Sequence, residues 1–226
     1  MTRLVTIALL LVLTVGSSLT AQDQRSVRPQ FTGGVQFGYN AGAGLAFSGM
    51  ISEFARGFPL AAKLGVWYTS AEAGSPWDAR QIFINNATNG SPEERGRNWE
   101  LKLDFLYPVK LLSSLQTQMF GGVRHSSFTG NFKFVGGNED FDVKSTQWGV
   151  GGGLEGQFGM SPRFDLLLTA GVDYYFGGTL YGHDTAYNPN NDNVNPREDF
   201  TYSDADAAIG RPKLKPLVML GFGYRF

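Results

Sequence analysis

The sequence predicts an all-β chain closed into an eight-stranded antiparallel transmembrane β-barrel with short periplasmic turns and long extracellular loops. Three observations carry that prediction. Apolar and aromatic residues recur at every second position in segment after segment, the period of a strand with one greasy face. The last ten residues, LVMLGFGYRF, alternate to the end, with Val218, Leu220, Phe222, Tyr224 and Phe226 on one face. A soluble sheet would have nothing left to cover those aromatics, whereas a strand facing lipid needs no cover. Finally, the chain opens like an exported protein. Arg3 is followed by an apolar run over Leu4 to Val15 and then by GSSLTAQ, the order of a secretory signal peptide. Cleavage is expected after Ala21. The run is too short to span a bilayer as a helix, which takes roughly 20 residues.

The domain reading is therefore a signal peptide over 1–21, a polar periplasmic tail over 22–30 and a single barrel over 31–226. Removing the leader takes one positive charge, Arg3, from 19 Lys plus Arg against 20 Asp plus Glu, so the mature chain is slightly acidic. That balance argues against a nucleic-acid partner, which calls for a basic face. There is no cysteine, so an exported domain must be held by packing and hydrogen bonds alone. Glycine (30) and phenylalanine (18) are abundant. Glycine weakens a soluble strand but suits close backbone approach and curvature in a small barrel.

Taken in order, Phe31 to Asn40 alternates through Val35, Phe37 and Tyr39, and Gly44 to Ile51 alternates through Leu45, Phe47 and Ile51. Ala41-Gly42-Ala43 can turn between them, although one long bent strand over 31–52 is an alternative. Leu60 to Tyr68 sets Leu64, Val66 and Tyr68 against Lys63, Gly65 and Trp67. A polar segment over 70–98 reads as a long loop. Trp99 to Tyr107 sets Trp99, Leu101, Leu103, Phe105 and Tyr107 against Glu100, Lys102 and Asp104. Leu115 to Val123 follows a short connection, and 129–142 reads as a second long loop. Val143 to Phe158 carries Trp148, Val150, Leu154 and Phe158 outward, and Phe164 to Phe176 carries Leu166, Leu168, Val172 and Tyr174. The longest polar loop spans 177–212, before the closing strand. Short connections alternate with long ones, as periplasmic turns and external loops do in such barrels.

This assignment puts Tyr68, Trp99, Trp148, Tyr174 and Phe176 at one end of the lipid face, and Tyr107, Phe158, Phe164, Tyr224 and Phe226 at the other. Those are two aromatic girdles. The inward face collects Lys63, Glu100, Lys102, Asp104, Arg124, Glu155, Asp165, Asp173 and Arg225, four positive and five negative. Buried charges persist only when paired, and an eight-stranded barrel is just wide enough to be filled by side chains. The expectation is an interlocked ionic core, with Arg225 paired to an acid such as Asp165. A glycine run, Gly149, Gly151 and Gly153, together with Gly221 and Gly223, leaves room inside the wall and keeps a narrow pore, or a route for small hydrophobic molecules, as the alternative.

The chain resembles the small eight-stranded outer-membrane barrels, the OmpA/OmpX-type transmembrane domains, through its pattern, its leader and the terminal Tyr-Arg-Phe. The resemblance implies localisation in the outer membrane of a Gram-negative envelope, and contact with outer-membrane lipid and lipopolysaccharide. It also implies recognition of Phe222, Tyr224 and Phe226 by the barrel-assembly machinery, a monomeric state, no cofactor, and a structural or surface-interaction role rather than catalysis. No cell-wall-binding domain is expected after the last strand. His125-Ser126-Ser127 looks like the His-x-Ser of outer-membrane lipid A deacylases. In such a site Ser127 would be the nucleophile and His125 its base, with Glu139 the acid nearest in sequence to orient the imidazole. The pair lies far from the chain end, and Phe128 replaces the asparagine that usually follows. Asn188 to Asn195, NPNNDNVN, carries oxygen ligands without the spacing of a calcium loop, so no metal is expected. Asn86-Ala87-Thr88 matches a glycosylation sequon.

Overall fold

The computed structural model describes residues 28–55, 57–84, 89–112, 115–211 and 213–226, and for Leu112 the backbone alone. The leader, most of the polar tail and the sequon lie outside them. The strands are β1 (Gln30–Asn40), β2 (Ala43–Ser52), β3 (Ala61–Ala71), β4 (Ser91–Leu112), β5 (Leu115–Val135), β6 (Asp140–Gly159), β7 (Phe164–Tyr175), β8 (Leu180–Tyr181), β9 (Ala186–Tyr187) and β10 (Leu214–Arg225). Two helices are α1 (Pro76–Phe83) and α2 (Tyr202–Ala208). Each of β1 to β6 pairs antiparallel with the next, β6 with β7, β7 with β10, and β10 with β1. The ring closes on itself with eight strands and leaves no edge around the wall. No helix among the described residues is long and apolar enough to cross a membrane.

Closure begins with the termini. Thr32 opposes Arg225 and Asn40 opposes Leu217, so the first and last strands pair without a break between those two points. The doubtful region 31–52 is two strands, turned at Ala41 and Gly42. Gly42 sits at φ 149°, where an added Cβ would run into the Ser70 carbonyl oxygen, so only glycine fits. The closing strand starts earlier than its alternation suggested, at Leu214, with Pro216 inside it.

The outer face of the wall is apolar through a continuous band. Phe37, Phe47, Leu64, Val66, Leu101, Phe105, Val123, Val150, Leu168, Val172, Val218 and Leu220 are all exposed. Tyr68 and Trp99 meet at 5.0 Å, and Tyr174 and Phe176 at 5.7 Å, at the end where the long connections lie. Phe164, Tyr224 and Phe226 stack edge-on at 5.1 and 5.0 Å at the opposite end.

Two loop expectations are corrected. Residues 129–142 are not a long loop: β5 continues to Val135 and β6 starts at Asp140, leaving a four-residue turn. Likewise β4 begins at Ser91, inside the segment read as loop 70–98. The reason is a change of solvent along the same strands. Within the apolar band, Val123 faces out and Arg124 faces in. Farther along, Phe128, Phe132 and Phe134 of β5 face in while Asn131 and Lys133 face out, and Phe141 and Val143 of β6 do the same beside Asp140, Asp142 and Lys144. The parity never shifts, but the polarity inverts, as it must where the surroundings change from lipid to water.

The tall β4–β5–β6 wall carries a cap with its own core. Ala79, Ile82 and Phe83 of α1 and Ala205 and Ala208 of α2 pack on Phe128, Phe132, Phe134, Phe141 and Val143. Leu180 and Tyr187 of the small β8–β9 hairpin complete the cluster. Phe83 meets Tyr187 edge-on at 5.6 Å. Both helices are capped by their sequences. Ser75 accepts from the Asp78 amide ahead of Pro76, and Thr201 with Asp204 forms a reciprocal capping box. Hydrogen bonds from Thr201 hold the Asp204 carboxyl below the usual carboxylate range, so this cap is present at neutral pH and is lost as acid protonates Asp204.

Candidate functional site

The interior of the barrel holds the densest polar chemistry of the chain, and it is built from strand parity. Every second residue of β3, β4, β5, β6, β7 and β10 projects inward, so charged residues far apart in sequence converge on the axis. Asp173 of β7 lies at the centre. Its Oδ2 is 2.6 Å from Lys102 Nζ, and its Oδ1 is 2.7 Å from Arg124 Nε. Arg124 Nη1 also reaches Asp104 at 2.7 Å. Lys102 stands 3.1 Å from Glu100 and lies 3.8 Å over the Trp67 ring. Nearer the short-turn end, Lys63 pairs with Glu155, which also accepts from the Thr169 hydroxyl at 3.0 Å; Thr169 in turn accepts from Gln36 at 2.8 Å. Arg225 pairs with Asp165 at 2.6 Å at the turn end itself.

Toward the cap, Glu100 is surrounded by donors. Asn40 and Asn98 each donate to it at 2.8 Å, and Lys215 reaches it at 3.1 Å. Asn98 accepts from Ser126 at 2.7 Å, extending the chain to β5. The sequence pattern does not single out Lys215, because the unbroken alternation begins at Leu217, after Pro216, whereas the strand begins at Leu214. The place of Lys215 is decisive for the charge count. Against Glu100, Asp104, Glu155, Asp165 and Asp173 the sequence supplied only Lys63, Lys102, Arg124 and Arg225; Lys215 is the fifth cation. The signal was available two positions before Leu217, in phase with the inward face. A second overlooked cation, Arg211, is buried above the barrel mouth. It donates to Ser145, to the Gly178 carbonyl at 3.0 Å and to Asp206 at 2.7 Å.

The wall glycines do not leave empty space. A Cβ on Gly151 would occupy the position of the Asp173 carboxylate and crowd the Arg124 guanidinium; on Gly149 it would meet Tyr175, and on Gly153 the Phe120 ring. A Cβ on Gly221 would meet the Gln36 side chain, and one on Gly223 would touch Leu167 and Thr32. Small residues here are what let a long cation and a bulky ring fit within an eight-stranded wall. The residual cavity among Lys63, Trp67, Lys102, Arg124, Glu155 and Leu217 measures about 10 Å³, room for about one water.

The remaining candidates do not converge. His125 and Ser127 both point outward, and in the cross-strand register His125 lies between Leu101 and Trp148. Its ring packs edge-on against Trp148 at 4.8 Å. Glu139 sits in the turn beyond β5, where its carbonyl accepts from the Phe134 amide at 2.9 Å. Fourteen positions of chain beyond His125 cannot be bridged by a side chain, so the His-Ser-Glu arrangement considered from sequence is not assembled. Asn188 to Asn195 spends its side chains on its own loop: Asn193 accepts from the Asn188 amide at 2.7 Å, Asn188 from the Asn190 amide at 2.9 Å, and Asn195 donates to the Asp184 carbonyl at 3.1 Å. No metal-ligating cluster is found among the described residues.

No family model matches the chain, and no curated protein does. Solved structures do. A major outer membrane protein from Thermus thermophilus aligns with a TM-score of 0.72 and 24% identity, over 88% of this chain and 100% of that one. Ail, the attachment invasion locus protein of Yersinia pestis, aligns at 0.43 with 13% identity over 88% and 97%. Neisserial surface protein A aligns at 0.37 with 14% identity over 88% and 95%. The first of these shares the eight-stranded fold along its full length.

Proposed function

We propose that this chain is a monomeric integral outer-membrane barrel, inserted with its termini and short turns toward the periplasm. Its interior is closed to solutes, and its role is structural or adhesive, carried by the folded cap it presents outside. The single observation behind this reading is the pairing of an apolar, aromatic-rimmed exterior with an interior filled by matched charges. An apolar band of this extent is unstable in water and stable in lipid. A channel, by contrast, needs a water-filled lumen, and a cavity of about 10 Å³ is none. The glycines that suggested a conduit are taken up by Arg124, Asp173, Tyr175 and Phe120. The Thermus neighbour, described as a major outer membrane protein, supports the same localisation.

Folded protein in planar bilayers is expected to give no stable conductance steps; reproducible unitary steps would establish the pore reading instead. Outer-membrane fractionation with heat-modifiable gel migration tests the localisation, and recovery as a soluble periplasmic protein would end it.

The closing strand makes a separate prediction. Phe226 is 85% exposed, its amide donates to the Phe31 carbonyl at 3.0 Å, and its ring covers Gly33. Phe226→Ala removes a girdle aromatic at a cost of about 1–3 kcal/mol from area alone. It is also expected to slow assembly, with unfolded chain accumulating in the periplasm. Pulse-chase assembly measures this, and insertion at the wild-type rate would remove Phe222, Tyr224 and Phe226 as an assembly signal.

A further inference from the structure

We propose that the cap holds a binding site for an organic polycation, in a cavity of about 750 Å³ between the β5–β6 turn, the C-terminal end of α1 and the loops on either side of β9. The site goes beyond the structural or adhesive role, because it needs only the folded cap. Its volume is in the usual range for small-ligand sites.

The observation that carries the site is Glu139. Both of its carboxylate oxygens expose under 1 Å², and neither has a hydrogen-bond partner among the described residues, although the residue lines the cavity. A carboxylate shut away from water without a donor is costly, and a fold built for stability alone would supply one. The Thr185 hydroxyl, from the turn between β8 and β9, is shielded and partnerless as well, and Thr185 lines the same cavity. Two unsatisfied acceptors brought to one cavity by separate turns mark a place for a donor from outside the chain.

The cations of the chain do not fill that place. Arg197 stands on the wall, yet Glu139 stays without a partner. The Arg197 amide donates to the Tyr187 hydroxyl at 3.0 Å. His183 is engaged with Asp184 at 2.9 Å. Against these two stand Glu139, Asp140, Asp184, Glu198 and Asp199. Asp140 accepts from Asn131 at 2.8 Å, whereas Glu198 and Asp199 are exposed. Phe83 and Ile84 end α1 on the same cavity, and a helix C-terminus favours positive charge. No set of three His, Asp or Glu side chains among the described residues is placed to hold a metal ion. An extended organic cation suits the site instead. Ammonium and guanidinium groups are donor-only, and the methylene stem between them can lie along Phe83, Ile84 and Phe141. A free polyamine and the basic side chains of a peptide share that chemistry.

Calorimetry on the mature chain, folded in non-ionic micelles, reads both sources. Spermidine is the polyamine probe, and a capped peptide carrying one arginine and one lysine is the other. Saturable one-to-one binding is expected, and the tighter probe names the source. Glu139→Gln keeps the backbone bond from the Phe134 amide and is expected to weaken binding by about tenfold. Glu93→Gln, on the outer wall of β4, is expected to bind as the wild type does. Should Glu139→Gln lack heat-modifiable migration, Glu198→Gln with Asp199→Asn takes its place, with a loss of about threefold expected. No saturable binding of either probe, an unchanged affinity in the variant that folds, or equal displacement by magnesium at matched ionic strength overturns the proposal. A loss in Glu93→Gln as large as that in the cavity variant reduces the site to general surface charge and overturns it too.

Discussion

Asp173→Asn is expected to lower the unfolding free energy of the barrel by about 3–5 kcal/mol, the usual cost of breaking a buried ion pair from one side. Asparagine keeps the shape and removes the charge. Lys102 and Arg124, at 2.6 and 2.7 Å from the carboxylate, then face each other with Glu100 and Asp104 as their only nearby acids. Both cations are fully buried, so neither can turn to water. Urea unfolding in lipid vesicles, followed by tryptophan emission, measures the loss. A contrasting variant sharpens the attribution. Lys102→Met with Asp173→Asn together should cost less than Asp173→Asn alone, because the second change removes one of the orphaned charges. An unchanged midpoint for Asp173→Asn would mean that the centre is wet enough to screen a stranded cation.

Phe132→Ala is expected to loosen the cap by about 3–5 kcal/mol while leaving the barrel's own unfolding nearly unchanged. Phe132 is fully buried and stacks on Phe141 at 5.4 Å, among the side chains of α1, α2 and the β8–β9 hairpin. The barrel interior is a different cluster, around Ala46, Trp67, Leu217 and Met219. Two cores that share strands but not contacts should respond independently. Hydrogen exchange over 72–84 and 177–211 should rise in the variant, and exchange in β1, β7 and β10 should not. A parallel rise in those barrel strands would show that cap and barrel form one cooperative unit.

Strand count, closure and the sorting of residues between the two faces were legible in the sequence, because a wall with lipid on one side and packed charge on the other leaves a period of two in every strand. The alternation of Trp99 to Tyr107 against Glu100, Lys102 and Asp104 carries that information by itself. Parity also put Asp165 and Arg225 on the same face. What local pattern could not carry was the partner of each charge. Asp173 meets Lys102, 71 positions away, and Arg124, 49 away, through barrel curvature and register. The same holds for the glycines, whose missing side chains looked like open space and are instead the room taken by Arg124 and Tyr175. The cap was hidden for another reason. In β5 and β6 the apolar face turns from outward to inward where the strands leave the lipid, so the outward apolar period stops and Thr129 to Asp142 looks like a loop in the sequence. Only the tertiary structure decides where along a continuous strand the solvent changes, because that depends on the height of the neighbouring strands and on helices contributed by segments about 50 to 70 residues away in the chain.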